Sequence, residues 1–322
     1  MGVSPSDRGR EAYAELCRRV GDAIPLMARA WWLEAVSRPA GKEWGAVLLR
    51  GGDGGLVGAM PYQLTRRGPL SAILMPQLTQ VSHVWTAEGV DRREALAGVL
   101  RLLLAMCRSE RVMLAQFAGF LDTAERGAFA DAGFVLRDRL TYRIASLADM
   151  TAVERGFADF KRRKLRRAER EGFVLDLSMS AADLYAEVEA AFRDAGASYP
   201  RSMLVGLHQA AASRGCAQIL CARRAATGEF AAAVLVVCDA AVAYYLVTPR
   251  AARFARSGAM EWLTRECMRW AAGRGLAFDF EGSMSPSVAF AYRSYGAAPL
   301  RYTFATWYAS RPVRWLAGRL GA

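Results

Sequence analysis

A chain of 322 residues, 53% of them hydrophobic, is long enough for one large or two modest domains, each with its own core. The 43 Lys and Arg against 31 Asp and Glu leave a formal charge of +12, which favours a polyanionic partner, although an arginine-rich composition alone gives the same sign. A disordered chain, a membrane span and a secretory leader are not expected: the longest apolar run, 230–246, is short and broken by Asp239, and the first twenty residues include Asp7, Glu11 and Glu15.

In chain order, periodicity predicts a helix over 9–24, with Tyr13, Leu16, Cys17 and Val20 on one face and Pro25 ending it. Trp31-Trp32-Leu33 is a heavy apolar anchor. Strands over 44–50 and 56–64 flank Gly51-Gly-Asp-Gly-Gly55 and read as a hairpin by their turn chemistry. A strand over 71–75, a strongly periodic helix over 92–108, a strand over 112–117, a helix over 123–132 and a strand over 140–144 follow. A basic helix over 151–172 comes next, then a strand over 173–177 and helices over 181–195 and 201–214. Strands over 218–223, 230–238 and 241–247 lead to a helix over 259–271.

The stretch 276–308 reads strand, loop, helix, strand. Phe278 and Phe280 alternate with Asp279 and Glu281, the period of a strand with one apolar and one polar face. Gly282 and Ser283 break it, Pro286 suits the first turn of a helix, and Gly296 its C-cap. A short basic tail ends the chain. Each half thus contains a hairpin, a third strand, a long helix, a strand, a short helix, a Gly and a last strand. This repeat predicts two copies of one mixed α/β unit, 1–150 and 151–322. Six scattered cysteines and only two histidines lack metal-ligand spacing, so no metal is expected and the cysteines read as small hydrophobes in a reducing cytoplasm.

Asp279-Phe-Glu281-Gly-Ser-Met284, followed by Phe290-Ala-Tyr-Arg293-Ser-Tyr-Gly296, resembles the C-terminal signature of the Fem-like branch of the GNAT acyltransferases. Arg162 to Gly172 is similar to that branch's Arg-x-x-x-Arg-Arg/Lys-Ala-Glu-x-x-Gly pattern. Gly58-Ala-Met-Pro61-Tyr62 and Met75-Pro-Gln77-Leu-Thr79-Gln80 look like its N-terminal signatures. The resemblance covers nearly the whole chain. It implies an α/β (mixed α+β) fold of two tandem GNAT-like domains, each a mostly antiparallel sheet flanked by helices. The branch includes peptidyltransferases that move amino acids from aminoacyl-tRNA onto peptidoglycan precursors. The implied function is therefore amide-bond formation, with aminoacyl-tRNA as co-substrate, an amine acceptor and no resident cofactor. Transfer from acyl-CoA is the alternative on the same fold. A non-catalytic module binding RNA or an anionic membrane, through the basic helix and the tail 311–319, is the alternative of another class.

Two regions are candidates for holding the donor. On the basic helix, Arg162, Arg163 and Arg166 fan over the face opposite Phe157, Phe160, Leu165 and Ala168, with Arg167 at the border. They suit tRNA phosphates or a nucleotide, or else form a solvated face. Before the helix at 259, Arg256-Ser257-Gly258-Ala259 is a degenerate version of the GNAT phosphate loop (Gln/Arg)-x-x-Gly-x-(Gly/Ala), with Ala255 where Gln or Arg should stand. It is either a residual phosphate site or an ordinary helix start, and CoA is not the expected donor. For the chemistry, Glu281 and Asp279 are candidates for the base or for positioning, Arg293 for the cation, and Tyr245 for a proton or hydroxyl contact. The bland reading pairs the two acids with arginines at a strand end. An acceptor cleft between the halves is expected to use Trp32, Tyr62, Gln77, Thr79 and Gln80 from the first, and Tyr244, Ser283 and Tyr292 from the second.

Overall fold

The computed structural model describes residues 5–192, 199–282 and 284–319, with the backbone alone for 5–8 and 190–192. The first half of the chain runs α1 (Pro5–Val20), α2 (Ala30–Ser37), β1 (Glu43–Arg50), β2 (Leu56–Arg67), β3 (Leu70–Ile73), β4 (Trp85–Thr86), α3 (Arg92–Ser109), β5 (Val112–Gly119), α4 (Thr123–Asp131) and β6 (Val135–Ile144). The second runs α5 (Met150–Arg155), α6 (Asp159–Glu171), β7 (Phe173–Asp176), α7 (Ala181–Phe192), α8 (Arg201–Ala212), β8 (Ala217–Arg224), β9 (Phe230–Cys238), β10 (Val242–Val247), α9 (Ala259–Ala272), β11 (Ala277–Asp279), α10 (Pro286–Arg293), β12 (Ala298–Tyr308) and α11 (Arg311–Arg319). The expected reach of α7 to Ala195 and the position of Ser283 lie outside the described residues. Among those described, no helix is long and apolar enough to cross a membrane.

Local chemistry explains most boundaries. The β1–β2 hairpin closes where the Gly51 N–H donates to the Gly55 carbonyl at 2.9 Å, with Gly54 at φ +81°. Asp91 caps α3 by accepting from the Glu94 N–H at 2.8 Å, and Asp122 with Glu125 forms a reciprocal capping box on α4. The stripe Leu96, Val99, Leu100 and Leu103 on α3 is buried against β1, β2 and β5. The basic stretch differs from the single helix expected over 151–172. It breaks at Gly156-Phe157-Ala158, where the Ala158 N–H donates at 2.9 Å to the Ser294 carbonyl at the end of α10.

The repeat read from the sequence is present in the pairing. In the first half β3 runs parallel to β5, with Ser71 opposite Val112; in the second β10 runs parallel to β11, with Val242 opposite Ala277. A helix, α3 or α9, connects each parallel pair, because strands that run the same way need a crossover.

The compact units, however, divide the chain elsewhere than at residue 150. One comprises 1–139 with 301–322, the other 140–300. Each unit takes its last strand from the other half of the sequence. In the first unit Thr303 to Tyr308 of β12 lie antiparallel to Gly119 to Leu114 of β5. In the second, Arg143 and Ile144 of β6 lie antiparallel to Asp279 and Phe278 of β11. The first unit's sheet is therefore ordered β1-β2-β3-β5-β12 with β4 beside β2, and the second's β6-β11-β10-β9-β8-β7. The second core is dense: every residue of β9 from Ala231 to Val237 is fully buried, and α9 packs on β9 and β8 through Leu263, Cys267 and Ala271.

Candidate active site

In the second unit β10 and β11 stay in parallel register up to Tyr244 opposite Asp279. Beyond that pair β10 continues to Val247, with an irregularity between Tyr245 and Val247, while β11 stops. The strands part, and a cavity of about 530 Å³ opens where they diverge. Period 2 sends Phe280 and Tyr245 to the cavity wall; Asp279 and Glu281 are not among its lining residues. Phe280 stacks between Tyr292 of α10, at 4.7 Å, and Tyr295, at 5.4 Å. The Tyr245 hydroxyl is 2.9 Å from Thr264 Oγ1, whose own proton goes to the Met260 carbonyl at 2.7 Å. Burial holds the Tyr245 phenol well above its usual range, so it enters the site as a neutral group.

Asp279 is fully buried, and its carboxylate accepts from Thr141, from Arg143 Nε at 2.9 Å and from the Glu281 N–H at 2.8 Å. Those three contacts fix the end of the strand. Glu281 follows at φ +66° and Gly282 at φ +64°. A left-handed glutamate is strained, and its neighbour needs the freedom of glycine to complete the turn. Burial, and then the nearby Asp279 carboxylate, push the Glu281 carboxyl well above the ordinary carboxylate range. Its charge reaches Tyr292, pushed up to about 12 by burial and then by Glu281. Tyr292 lines the cavity, whereas Glu281 does not.

The other expected catalytic and acceptor residues fare differently. Arg293 is exposed in the last turn of α10 and does not line the cavity. Tyr244 donates its hydroxyl to Asp239 at 2.8 Å and does not line the cavity either. In the first unit Trp32 is completely buried, with its indole N–H donated to Thr79 Oγ1 at 2.9 Å, while the Gln80 N–H meets Met27 Sδ at 3.2 Å. Tyr62 and Thr79 border a space of about 10 Å³, too small for a ligand, and Gln77 offers its carbonyl to Thr79 at 3.2 Å. Within their own unit these residues are packing and strand-end groups.

The basic helix corrects the sequence reading most. Its inner face is not purely apolar: Lys161 is buried beside Leu165 and Ala168. Lys161 Nζ lies 3.2 Å, and Lys164 Nζ 2.9 Å, from the same Oε1 of Glu261 in the first turn of α9. Burial lowers the proton affinity of Lys161, with Glu261 opposing that shift. Burial raises Glu261, and the two ammoniums outweigh it and hold the carboxyl below its usual range. The Lys161 ammonium also sits 4.1 Å from the centre of the Tyr295 ring, a cation–π contact inside the cavity. Sequence reasoning missed this trio, although Lys161 and Lys164 were the only lysines in an arginine run. Arg162 is not free for phosphate: it donates to the carbonyls of Arg155 at 2.7 Å and Phe157 at 2.5 Å, and to Asp159. Arg163, Arg166 and Arg167 are exposed, the last 3.7 Å from Glu171.

The helix start at α9 is closed. Ser257, Gly258 and Ala259 are all buried, the Ala259 N–H donates to Ser257 Oγ at 3.1 Å, and Gly258 has φ +86°. A Cβ on Gly258 would lie 2.2 Å from the carbonyl oxygen of Lys164, so α6 packs backbone to backbone over the loop. Arg256, the one charged residue of the expected loop motif, is exposed.

Residues 157–286 match the sequence profile of the acetyltransferase (GNAT) domain family. No curated protein sequence matches the chain. Among solved structures, the crystal structure of FemX superposes with a TM-score of 0.69 at 13% identity, covering 98% of both chains. A tandem GNAT protein from the clavulanic acid biosynthesis pathway, solved without AcCoA, gives 0.58 at 16% identity over 96% of this chain and 97% of that one. The structure of L-PGS from Bacillus licheniformis gives 0.58 at 15% identity over 99% and 98%. Splayed parallel strands, the connecting helix α9 and the repeated unit agree with these likenesses: residues 157–286 match a GNAT domain, and the whole chain has a double-GNAT fold like that of FemX and the tandem GNAT protein.

Proposed function

We propose that the protein is a cytoplasmic acyltransferase that forms an amide bond by moving an aminoacyl group from aminoacyl-tRNA to an amine acceptor. The observation that carries this reading is the closed start of α9. A CoA donor would rest its diphosphate on the N–H groups of that helix. Here α6 covers the loop, with its Lys164 carbonyl 2.2 Å from any Cβ on Gly258, and Glu261 in the first turn places a carboxylate there. The cavity between β10 and β11 stays open, so an acyl group has a place to lie while a diphosphate has none. Exposed Arg163, Arg166 and Arg167 on the same helix supply charge for an RNA backbone.

In the reaction the acceptor amine attacks the ester carbonyl, a C–N bond forms, and the C–O bond to the ribose breaks. Glu281, with its raised proton affinity, takes the proton the amine loses and returns it to the departing ribose hydroxyl. Asp279 positions Glu281 through the backbone N–H it accepts. Tyr292, a phenol kept neutral by burial in the cavity wall, contacts the tetrahedral intermediate in this proposal.

Acyl-CoA-dependent N-acetylation has one observation in its favour, the match of residues 157–286 to an acetyltransferase domain. One experiment separates the two. The purified chain is given an amine acceptor panel with either radiolabelled aminoacyl-tRNA or radiolabelled acetyl-CoA, and CoA binding is followed by calorimetry. Label passing from tRNA into a base-stable amide, with no heat from CoA, is the expected outcome. Stoichiometric CoA binding with transfer from acetyl-CoA overturns the proposal.

A further inference from the structure

The charged side chains that line the cavity between β10 and β11 carry one sign, although the Glu281 and Asp279 carboxylates act on Tyr292 from behind its wall. Its charged lining residues are cationic, Lys161 inside and exposed Arg250 beside it, and among the described residues that line it none is acidic. Thr248 and Ser287 add hydroxyls, and the remaining wall mixes aromatic rings with Met260, Val288 and Ala291. Glu261 does not line the cavity; it holds Lys161 from behind. That carboxylate is divided, because Lys164 approaches the same oxygen at 2.9 Å against 3.2 Å for Lys161. Two ammoniums on one carboxylate leave a net positive charge, and the buried member faces the cavity. A lysine ammonium has three N–H donors. One serves Glu261 and another face meets the Tyr295 ring at 4.1 Å, so the cavity side of Lys161 is oriented and lacks a full counter-charge. Restoring one there strengthens a buried, low-dielectric ion pair, whereas a second cation would meet repulsion.

We infer that this cavity recognises a carboxylate: the substrate portion that enters it bears an apolar or aromatic-compatible body and an anionic end held by Lys161, with Arg250 as the second cation. The inference rests on the reading of this cavity as the acyl-transfer site. The carboxylate has two sources, an acidic aminoacyl side chain on the donor or a carboxylate on the amine acceptor.

The test begins without tRNA. Calorimetry on the full chain compares N-acetylglutamate with N-acetylglutamine, probes of nearly equal shape that differ by one charge. The acid binds at least tenfold tighter, the advantage shrinks with added salt, and Lys161→Met removes it while leaving the Lys164–Glu261 pair. Should Lys161→Met fail to fold, Arg250→Gln at its exposed position is expected to lower the same ratio several-fold. Equal affinities, no binding of either probe, or a preference unchanged in the folded variants overturns the inference.

Two transfer assays then assign the source. One tRNA body charged with glutamate or with glutamine reports on the donor. Amine acceptors with and without a carboxylate report on the acceptor. If no charged tRNA supports transfer but the probe preference holds, the donor assignment fails and carboxylate recognition stands. If glutamate- and glutamine-charged tRNA react alike, both classes of acceptor react alike, and the probes are not discriminated, carboxylate recognition fails and aminoacyl transfer stands.

Discussion

Gly258→Ala tests whether α6 truly closes the start of α9. The new Cβ would lie 2.2 Å from the Lys164 carbonyl oxygen, 3.0 Å from the Lys164 carbonyl carbon and 3.2 Å from Ala168 Cβ. Two of those are backbone atoms in a helix, so they cannot swing aside; the helices must separate. A second term comes from φ +86°, a left-handed conformation costing an L-residue about 1–2 kcal/mol. Overpacking a well-packed contact adds about 1–3 kcal/mol. Gly275→Ala separates the two terms, since Gly275 has φ +69° but nothing within 4 Å of its would-be Cβ. Denaturant unfolding should therefore show Gly275→Ala destabilised by about 1–2 kcal/mol and Gly258→Ala by roughly 2–5 kcal/mol. The difference between the variants measures the contact between the helices. If both lose the same amount, the backbone approach of α6 to the loop is not real, and a diphosphate site on α9 returns to consideration.

Glu281→Gln should lower turnover by about 10² to 10⁴ and abolish a rising limb of the pH–rate profile that lies above the ordinary carboxylate range. Its folded-state proton affinity is raised, so the stability it contributes is full below the unfolded value near 4.5 and lost as pH rises through the folded one. The Gln variant should consequently melt above the wild type at pH 8, with the gap closing by pH 4; an active variant with unchanged melting removes Glu281 from the mechanism. Reversing Arg163 and Arg166 to Glu should weaken tRNA binding and flatten its log–log salt slope by about 2, with the melting point unchanged. Arg162→Ala should instead lower the melting point, because that side chain braces the Arg155 and Phe157 carbonyls at the turn before α6. Identical salt slopes for the reversed and native proteins would make the outer face of α6 plain solvated surface.

Much of the architecture was legible because it is written locally. Period 2 in Phe278-Asp-Phe-Glu281, Pro286 at a first turn and Gly51-Gly-Asp-Gly-Gly55 between two strands each name their element without tertiary information. The repeated order of elements was legible for the same reason. What escaped depends on partners far along the chain. Lys161 and Lys164 meet Glu261 about a hundred residues on, so a helix read as apolar inside and basic outside buries an ion pair in its inner face. Arg162 was counted with the free arginines because carbonyl acceptors leave no mark in side-chain sequence. Trp32 read as a cleft residue, but its indole N–H finds Thr79 after a separation of 47 residues, which lets the ring be buried completely. The exchange of last strands between the compact units was not legible, because the repeat fixes where copies of a motif begin, whereas strand pairing decides which copy completes which sheet.

That pairing also sets an order of events during synthesis. The β5 edge of the first unit is covered by Thr303 to Tyr308, residues made long after β5 itself. Until then a strand of eight residues stands with unpaired backbone groups on one side, a template for pairing with another nascent chain. The second unit waits less, since Arg143 and Ile144 find their partners once Phe278 and Asp279 are made, before β12 exists. Although the first unit holds the N-terminus, its sheet is completed last, after the contacts of the second can already form, and this long closure makes it the slower of the two to fold.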